Sequence, residues 1–445
     1  MKLTRIALAV ATTAMVSTPV LATNGDNLIG LGAQSRALGG TGTAAFFGSE
    51  NALTNPSLLG KGQGTEFAIG GTLFKPDVKA ETNVASMPGQ TASQTSEADT
   101  NIIPEVSLST RLNDNWTFGL GIFGSAGMGT DYRDNGGEMD GTGLFNGYSN
   151  LQLMKFAPSL AYNNENWGIG FAPVIQYGAL DINYHSRNNN GTPMDPTDDQ
   201  VSNFGNGMSS DLGYGFNIGG HFDITPEFTV ALAYQSAIDM EYDDQITGAA
   251  CGFGVGPTGC NARPQTNTIT SDNLEQPAEI KIGAAYTMGN MMFTADAKQI
   301  KWSDANGYKD FNWDDQNVFG AGFKYTANNY WLGVGYNYAE DPIDVMSDNN
   351  PMTAYQNQAV NLFNNHFFPA VVEQHFTFGG GYNITKNLAL DAAIVYAAEV
   401  NKKVNTGTIS DMMSDGSYDG NPVDSTEHEV THSQIGYTLS LRMNF

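Results

Sequence analysis

The connections in this chain constrain its fold more than any other feature, because they switch regularly between very short and long. From Thr65 onward, period-two alternation of apolar residues marks fourteen candidate strands. The short connections are Asn113–Asn115, Asn163–Asn166, Thr225–Glu227, Gly289–Asn290, Ala327–Asn329 and Thr385–Asn387, all of turn composition. The long ones are about Glu81–Thr100, Arg133–Ser149, Ser186–Ser210, Asp244–Glu275, Ala305–Asp315, Glu340–Val371 and Asn401–Val430. Six turns on one side and seven loops on the other is the count for fourteen antiparallel strands that start and finish on the same side. Sorting loops by length in this way fits an all-β, 14-stranded transmembrane barrel with short periplasmic turns and long extracellular loops.

The final strand carries the same message at residue level. In His432–Phe445, Ile435, Tyr437, Leu439, Leu441, Met443 and Phe445 share one face, and Gln434, Thr438, Ser440, Arg442 and Asn444 the other. An apolar outer face and a polar inner one suit lipid on one side and a lumen on the other. Comparable rows are Trp116, Phe118, Leu120 and Ile122, and Tyr330, Leu332, Val334, Tyr336 and Tyr338, with aromatics near the strand ends where interfacial girdles form. Alternation also explains how a chain with 48 Phe, Tyr and Trp has no later apolar run of membrane-spanning length.

Lys2 and Arg5, the apolar run Ile6–Val16, and small residues at Val20 and Ala22 read as a secretory signal peptide over Met1–Ala22. Export to the outer membrane of a Gram-negative cell follows. In that compartment Cys251 and Cys260, close together in a Gly-rich stretch, are expected to form a loop disulfide. Two thiols without nearby His are too few for structural zinc, so no metal is expected. A net charge of −26 excludes nucleic acid as a partner. The acidic runs Asp195–Asp199, Asp239–Asp244, Asp304–Asp315 and Asp411–Glu429 fall in predicted loops as solvated charge, with ion-bridged contact to surface lipopolysaccharide as a second role.

Thr23–Gly64 does not alternate and is too apolar and Gly-rich for a solvated arm. Because a barrel of this size is open unless filled, the segment is expected to plug it, with residues 65–445 forming the barrel. Within it, Gly32-Ala33-x-Ser35-Arg36-Ala37-Leu38-Gly39-Gly40-x-Gly42, Asn55-Pro56-Ser57, and then Phe74-x-Pro76-Asp77-Val78 resemble the FadL family of outer-membrane long-chain fatty-acid transporters. Ser57 stands where the family's hatch usually has Ala. Trp302-Ser303, Trp313–Pro342 and Pro369–Tyr382 continue the resemblance in order. It implies a plugged barrel, capture of substrate in an apolar groove between the third and fourth outer loops, a luminal pocket, and a lateral opening at a kink in the third strand. The matching positions are Ser186–Ser210 and Asp244–Glu275 for the loops, Arg36, Asn55, Pro56 and Ser57 for the hatch, and Gly124, Ser125, Ala126 and Gly127 for the kink. Two glycines within four strand residues favour a bend independently of any resemblance.

Strand parity points Arg111, Lys281, Lys298, Lys324 and Arg442 inward, together with Asp296, Glu373, His375 and Asp391. These either pair with one another and with the plug, or receive a ligand carboxylate. The fifth strand, where fatty-acid transporters of the family can present a base, reads YGALDINY from Tyr177 to Tyr184 and offers none. The family also includes TodX-type channels for neutral aromatic hydrocarbons, which need no cation. The expected function is passive uptake of long-chain fatty acids or similar hydrophobic molecules by a monomer without cofactors; a neutral-hydrocarbon channel is the alternative, ahead of an adhesin or structural barrel. No enzyme is expected: His185, His366, His428 and His432 fall in or beside predicted loops, and neither His221 nor His375 lies in a nucleophile motif.

Overall fold

A computed structural model describes residues 24–83, 91–133, 146–188, 200–257, 269–415 and 426–445. The predicted signal peptide and Cys260 lie outside the described residues. Fourteen long strands form one antiparallel sheet: β1 (Thr65–Thr82), β2 (Asn101–Arg111), β3 (Trp116–Met128), β4 (Tyr148–Asn163), β5 (Trp167–Asn188), β6 (Ser209–Thr225), β7 (Phe228–Gln235), β8 (Glu279–Met288), β9 (Met291–Ile300), β10 (Gln316–Thr326), β11 (Tyr330–Ala339), β12 (Gln374–Asn383), β13 (Leu388–Asn405) and β14 (Glu427–Asn444). Each pairs with its sequence neighbours, and β14 closes on β1 from Glu66↔Asn444 to Thr82↔His428. Closure leaves no row of open backbone groups, the condition for crossing a bilayer with strands. No described helix is long and apolar enough to cross one.

The six short connections fall where expected. Asn113 makes its turn by accepting from the amides of Asn115 and Trp116, each at 3.0 Å. Gly289 takes a left-handed φ of 60°, which the two-residue Gly289–Asn290 turn requires. The long connections are more structured than the expectation of solvated loops. They contain two short strands, Ala92–Thr95 and Gln200–Phe204, which lengthen the wall beyond β1 and β5. They also contain helices Ile246–Gly252, Ala354–Phe367 and Gly407–Asp415. Trp302, Tyr308 and Trp313 stack with ring centroids 4.6–4.9 Å apart. Phe311, Phe363, Phe367 and Phe368 continue this apolar core over the long-loop end of the barrel.

Outward rows are exposed, Leu439 at 57% and Leu332 at 47%, whereas their inward neighbours Thr438 and Ser440 are buried. What buries them is the N-terminal segment, residues 24–64. Its helices α1 (Gly32–Ala37) and α2 (Asn51–Thr54) and the 3-10 turn Pro56–Lys61 lie against the inner faces of β2–β6 and β11–β14. Small side chains make that fit: Ala33, Ala37 and Ala52 are completely buried, Ala37 against Trp331 and Ala393, Ala52 against Leu59 and Ala161.

Candidate functional site

Two features inside the barrel converge on one small cavity. The first is the bend in β3. Pairing of β2 with β3 stops at Glu105↔Phe123, while β2 continues along β1 through Pro104, Ile103, Ile102 and Asn101. Beyond that point β3 has a bulge between Gly124 and Ala126 and keeps only β4 as a strand neighbour. The edge that β2 vacates is taken by the N-terminal segment: Gly127 donates to the Asp26 carbonyl at 3.0 Å, Leu28 donates to the Ser125 carbonyl at 3.3 Å, and Asn27 bridges Ala126. At Gly124, Ser125, Ala126 and Gly127 the ladder to β2 is therefore interrupted, and the N-terminal segment takes its place.

Asp26 ties this junction to the outer loops. Gln276 Nε2 donates to its carboxylate at 2.7 Å, and the Tyr308 hydroxyl donates to the same oxygen. Burial raises the Asp26 carboxyl to about 6, against the opposing pull of the Tyr308 and Gln276 hydrogen bonds and of the Lys155 charge.

The second feature is a group of lysines. Behind Asn27–Leu31 lies a cavity of ≈ 70 Å³ bounded by Leu28, Ile29, Leu53 and Val318 on its apolar side and by Lys155, Lys281 and Lys298 on its polar side. Glu279 Oε2 lies 2.9 Å from Lys281 Nζ and 3.8 Å from Lys298 Nζ. Asp296 is spent on the plug, accepting from the amides of Gly42 and Thr43 at 2.9 Å each. Lys155 is 2% exposed and has neither ion pair nor hydrogen bond among the described residues. A cavity with one apolar side and, on the other, a lysine amine that no described carboxylate bonds directly can take an anionic group attached to a hydrocarbon.

Of the predicted luminal residues, Lys281, Lys298 and Asp296 line this cavity, and the others lie elsewhere. Arg111 donates to the Gly60 carbonyl at 3.0 Å, near the short-turn end. Lys324 bonds Gln34 and sits 5.0 Å over the Trp331 ring. Arg442 pairs with Asp391 at 3.1 Å. Glu373 precedes β12 rather than standing in it, because the strand starts one residue later. His375 is fully buried, and neither ring nitrogen has a partner among the described residues. His428 and His432, expected in or beside a loop, are buried residues of β14, which begins at Glu427.

The hatch residues are anchors. Arg36 forms a buried ion pair with Glu105 at 2.5 Å and donates to Thr72 at 2.6 Å. Asn55 caps the turn that Pro56 starts, accepting from the Ser57 amide at 3.1 Å and hydroxyl at 2.7 Å. Ser57 Oγ also meets His221 Nδ1 at 3.0 Å. Gly170 and Gly219 of the wall admit this turn; any side chain there would collide with Pro56, Ser57 or Asn55. In the predicted capture loops, Cys251 lies in the helix Ile246–Gly252, and Tyr184 donates to the Ala249 carbonyl of that helix.

Sequence reasoning missed Lys155 by looking on the fifth strand instead of the fourth. The signal was there: Leu151, Leu153, Ala157 and Ala161 share its parity, so one charge interrupts a small, apolar inward row. Asp26 and Glu279 carried no local signal.

A sequence profile for the outer membrane protein transport protein family (OMPP1/FadL/TodX) matches residues 9–445. The long-chain fatty acid transport protein of Escherichia coli O6:H1 is 24% identical over 387 residues, 77% of this chain and 83% of that protein. Its Salmonella typhi counterpart is 25% identical over 431 residues, 91% and 94% of the two chains. Among solved structures, the Pseudomonas putida toluene transporter TodX superposes with a TM-score of 0.64 at 19% identity, covering 95% of this chain and 100% of its own. A Pseudomonas aeruginosa FadL homologue does so with a TM-score of 0.63 at 16% identity, covering 97% and 100%.

Proposed function

The chain belongs to the FadL/TodX family of outer-membrane transport proteins, and from that premise we propose that it takes up long-chain fatty acids passively. Lys155 carries the choice of a carboxylate ligand over a neutral hydrocarbon. No carboxylate bonds its amine directly among the described residues; Glu279 and Asp26 act on it only through space. A fatty-acid carboxylate supplies that direct partner, and the apolar side of the cavity takes the tail.

Capture begins in the apolar outer loops, driven by burial at about 25 cal/mol per Å² without an energy source. The cavity holds a head group, not a long chain, so the tail enters by displacing Leu28–Leu31. That frees the edge of β3 at Ser125–Gly127, and the ligand leaves sideways through the break between β2 and β3. The segment 23–64 acts as the hatch, Cys251 and Cys260 staple the fourth outer loop, and the barrel works as a monomer in contact with outer-membrane lipid and lipopolysaccharide. No catalytic step belongs to this route.

The test is equilibrium binding of labelled oleate to the purified protein in a non-competing detergent, with toluene and hexadecane as competitors. Saturable binding displaced only by fatty acids supports the carboxylate site. Displacement by the neutral compounds assigns the protein to the hydrocarbon channels instead, the reading favoured by its resemblance to TodX. Absence of saturable binding removes the capture step.

A further inference from the structure

Away from the lysine cavity, residues 24–64 meet β1, β2, β13 and β14 through a second charged cluster. Glu105 on β2 pairs with Arg36 at 2.5 Å and accepts from the Gly32 amide at 3.3 Å. Asp391 on β13 is held by Arg442 at 3.1 Å and by the Trp331 indole at 2.7 Å. Glu66 on β1 accepts from the Ser49 amide at 2.6 Å and lies 3.9 Å from Arg442. Glu50, just before α2, is the exception: its buried side chain makes no hydrogen bond or ion pair among the described residues.

The Glu50 and Glu105 carboxyls both face Gly32. A Cβ on Gly32 would overlap the Glu50 carboxyl, and the amide of the same glycine is bonded to Glu105. Oε2 of each is buried and unpaired. Two ionised carboxylates repel each other in a dry interior, and Arg36 bonds Glu105 but not Glu50, whereas a carboxyl–carboxylate pair with one proton satisfies both oxygens.

We propose that Glu50 and Glu105 share a single proton, forming a latch that holds the N-terminal segment against β2 when protonated and loosens when the proton leaves. Burial, and after it the Glu105 and Asp391 carboxylates, hold the Glu50 carboxyl well above its ordinary range; Arg442 opposes this and Glu66 adds to it. Arg36 on α1 and Lys324 on β10 are the other charges facing the cluster. A carboxyl raised in the packed state contributes fully below the ordinary carboxylate range. Its contribution is lost as pH rises toward its own value, so the latch opens on the alkaline side. The pair stands apart from the lysine cavity and does not depend on which ligand is carried.

The experiment is residue-resolved amide exchange over residues 32–54 of the ligand-free, full-length protein, corrected for intrinsic rates, from about pH 5 to about pH 9. Protection in the wild type should fall by up to roughly tenfold per pH unit once Glu50 ionises. Glu50→Gln keeps the shape and offers an amide to Glu105, so its profile should be flat. Infrared spectra taken across the same pH range should show a protonated-carboxyl band in the wild type that Glu50→Gln lacks, and that disappears over the pH interval in which protection falls. A flat wild-type profile, or Glu50→Gln retaining the wild-type slope and band, overturns the latch. Should Glu50→Gln fail to fold, the wild-type slope still decides.

Discussion

Lys155 sits at the centre of the account at residue scale. Its amine is buried in the wall of the cavity without a directly bonded partner among the described residues, and Glu279 and Asp26 are the carboxylates that act on it through space. A hydrogen bond to a charged group contributes about 1.5–3 kcal/mol, so Lys155→Met should weaken fatty-acid binding by roughly 10- to 100-fold. Hexadecane should still fail to displace the oleate that remains bound, which equilibrium binding checks. Asp26 gives a pH signature of a different kind. Its carboxyl titrates at about 6 in the folded protein against 3.8 in the open chain, so the folded state binds the proton more tightly. The buried seating of Asp26 should therefore be most stable below about pH 4 and should lose up to about 3 kcal/mol as pH rises through about 6, the hydrogen bonds from Tyr308 and Gln276 offsetting part of the cost of burying the ionised form. Amide exchange at residues 24–28 reads that loss, and Asp26→Asn should flatten it. Parity alone exposes Lys155, Lys281 and Lys298. No periodicity brings Asp26 to Tyr308 or Glu50 to Glu105, because these contacts join distant parts of the chain whose meeting depends on how the plug is seated.

The bulge in β3 decides matters at the scale of elements. An extra residue at Ser125 breaks the ladder to β2, and residues 26–28 replace the lost neighbour. Ala126 is buried at that junction, so Ala126→Trp should block delivery while leaving capture intact. Oleate binding and cellular uptake, measured side by side, test this; normal uptake by the variant takes the opening out of the route. The turn at Asn55–Ser57 fits the wall only because Gly170 and Gly219 have no side chains. Gly219→Ala should accelerate amide exchange over residues 55–61 by about tenfold or more, while the barrel keeps its midpoint of thermal unfolding. The glycines of the bend and the Asn-Pro pair were legible because each has a local backbone reason. The helices and short strands of the long loops were not: Trp302, Tyr308, Trp313 and Phe363 belong to a core assembled from several loops, and no one loop shows a period.

For the molecule as a whole, legibility followed from the membrane. Lipid on one side and a filled lumen on the other force period two on every strand, and closure forces turns and loops onto opposite ends. Those constraints write fourteen strands into the sequence from Thr65 to Asn444. The plug obeys neither constraint, so the sequence shows it as a non-alternating stretch, and only its contacts reveal how it is held. The molecule that results is a rigid wall with one interrupted seam, a seated N-terminal segment covering that seam, and a lysine cavity behind the segment. In the proposed route, movement of the segment joins capture to exit. The most direct test is the initial rate of labelled oleate uptake by cells in which this protein is the only such channel, compared with cells lacking it and with toluene as competitor. The account predicts saturable uptake that requires the protein and is insensitive to toluene; uptake equal to that of cells lacking the protein contradicts it.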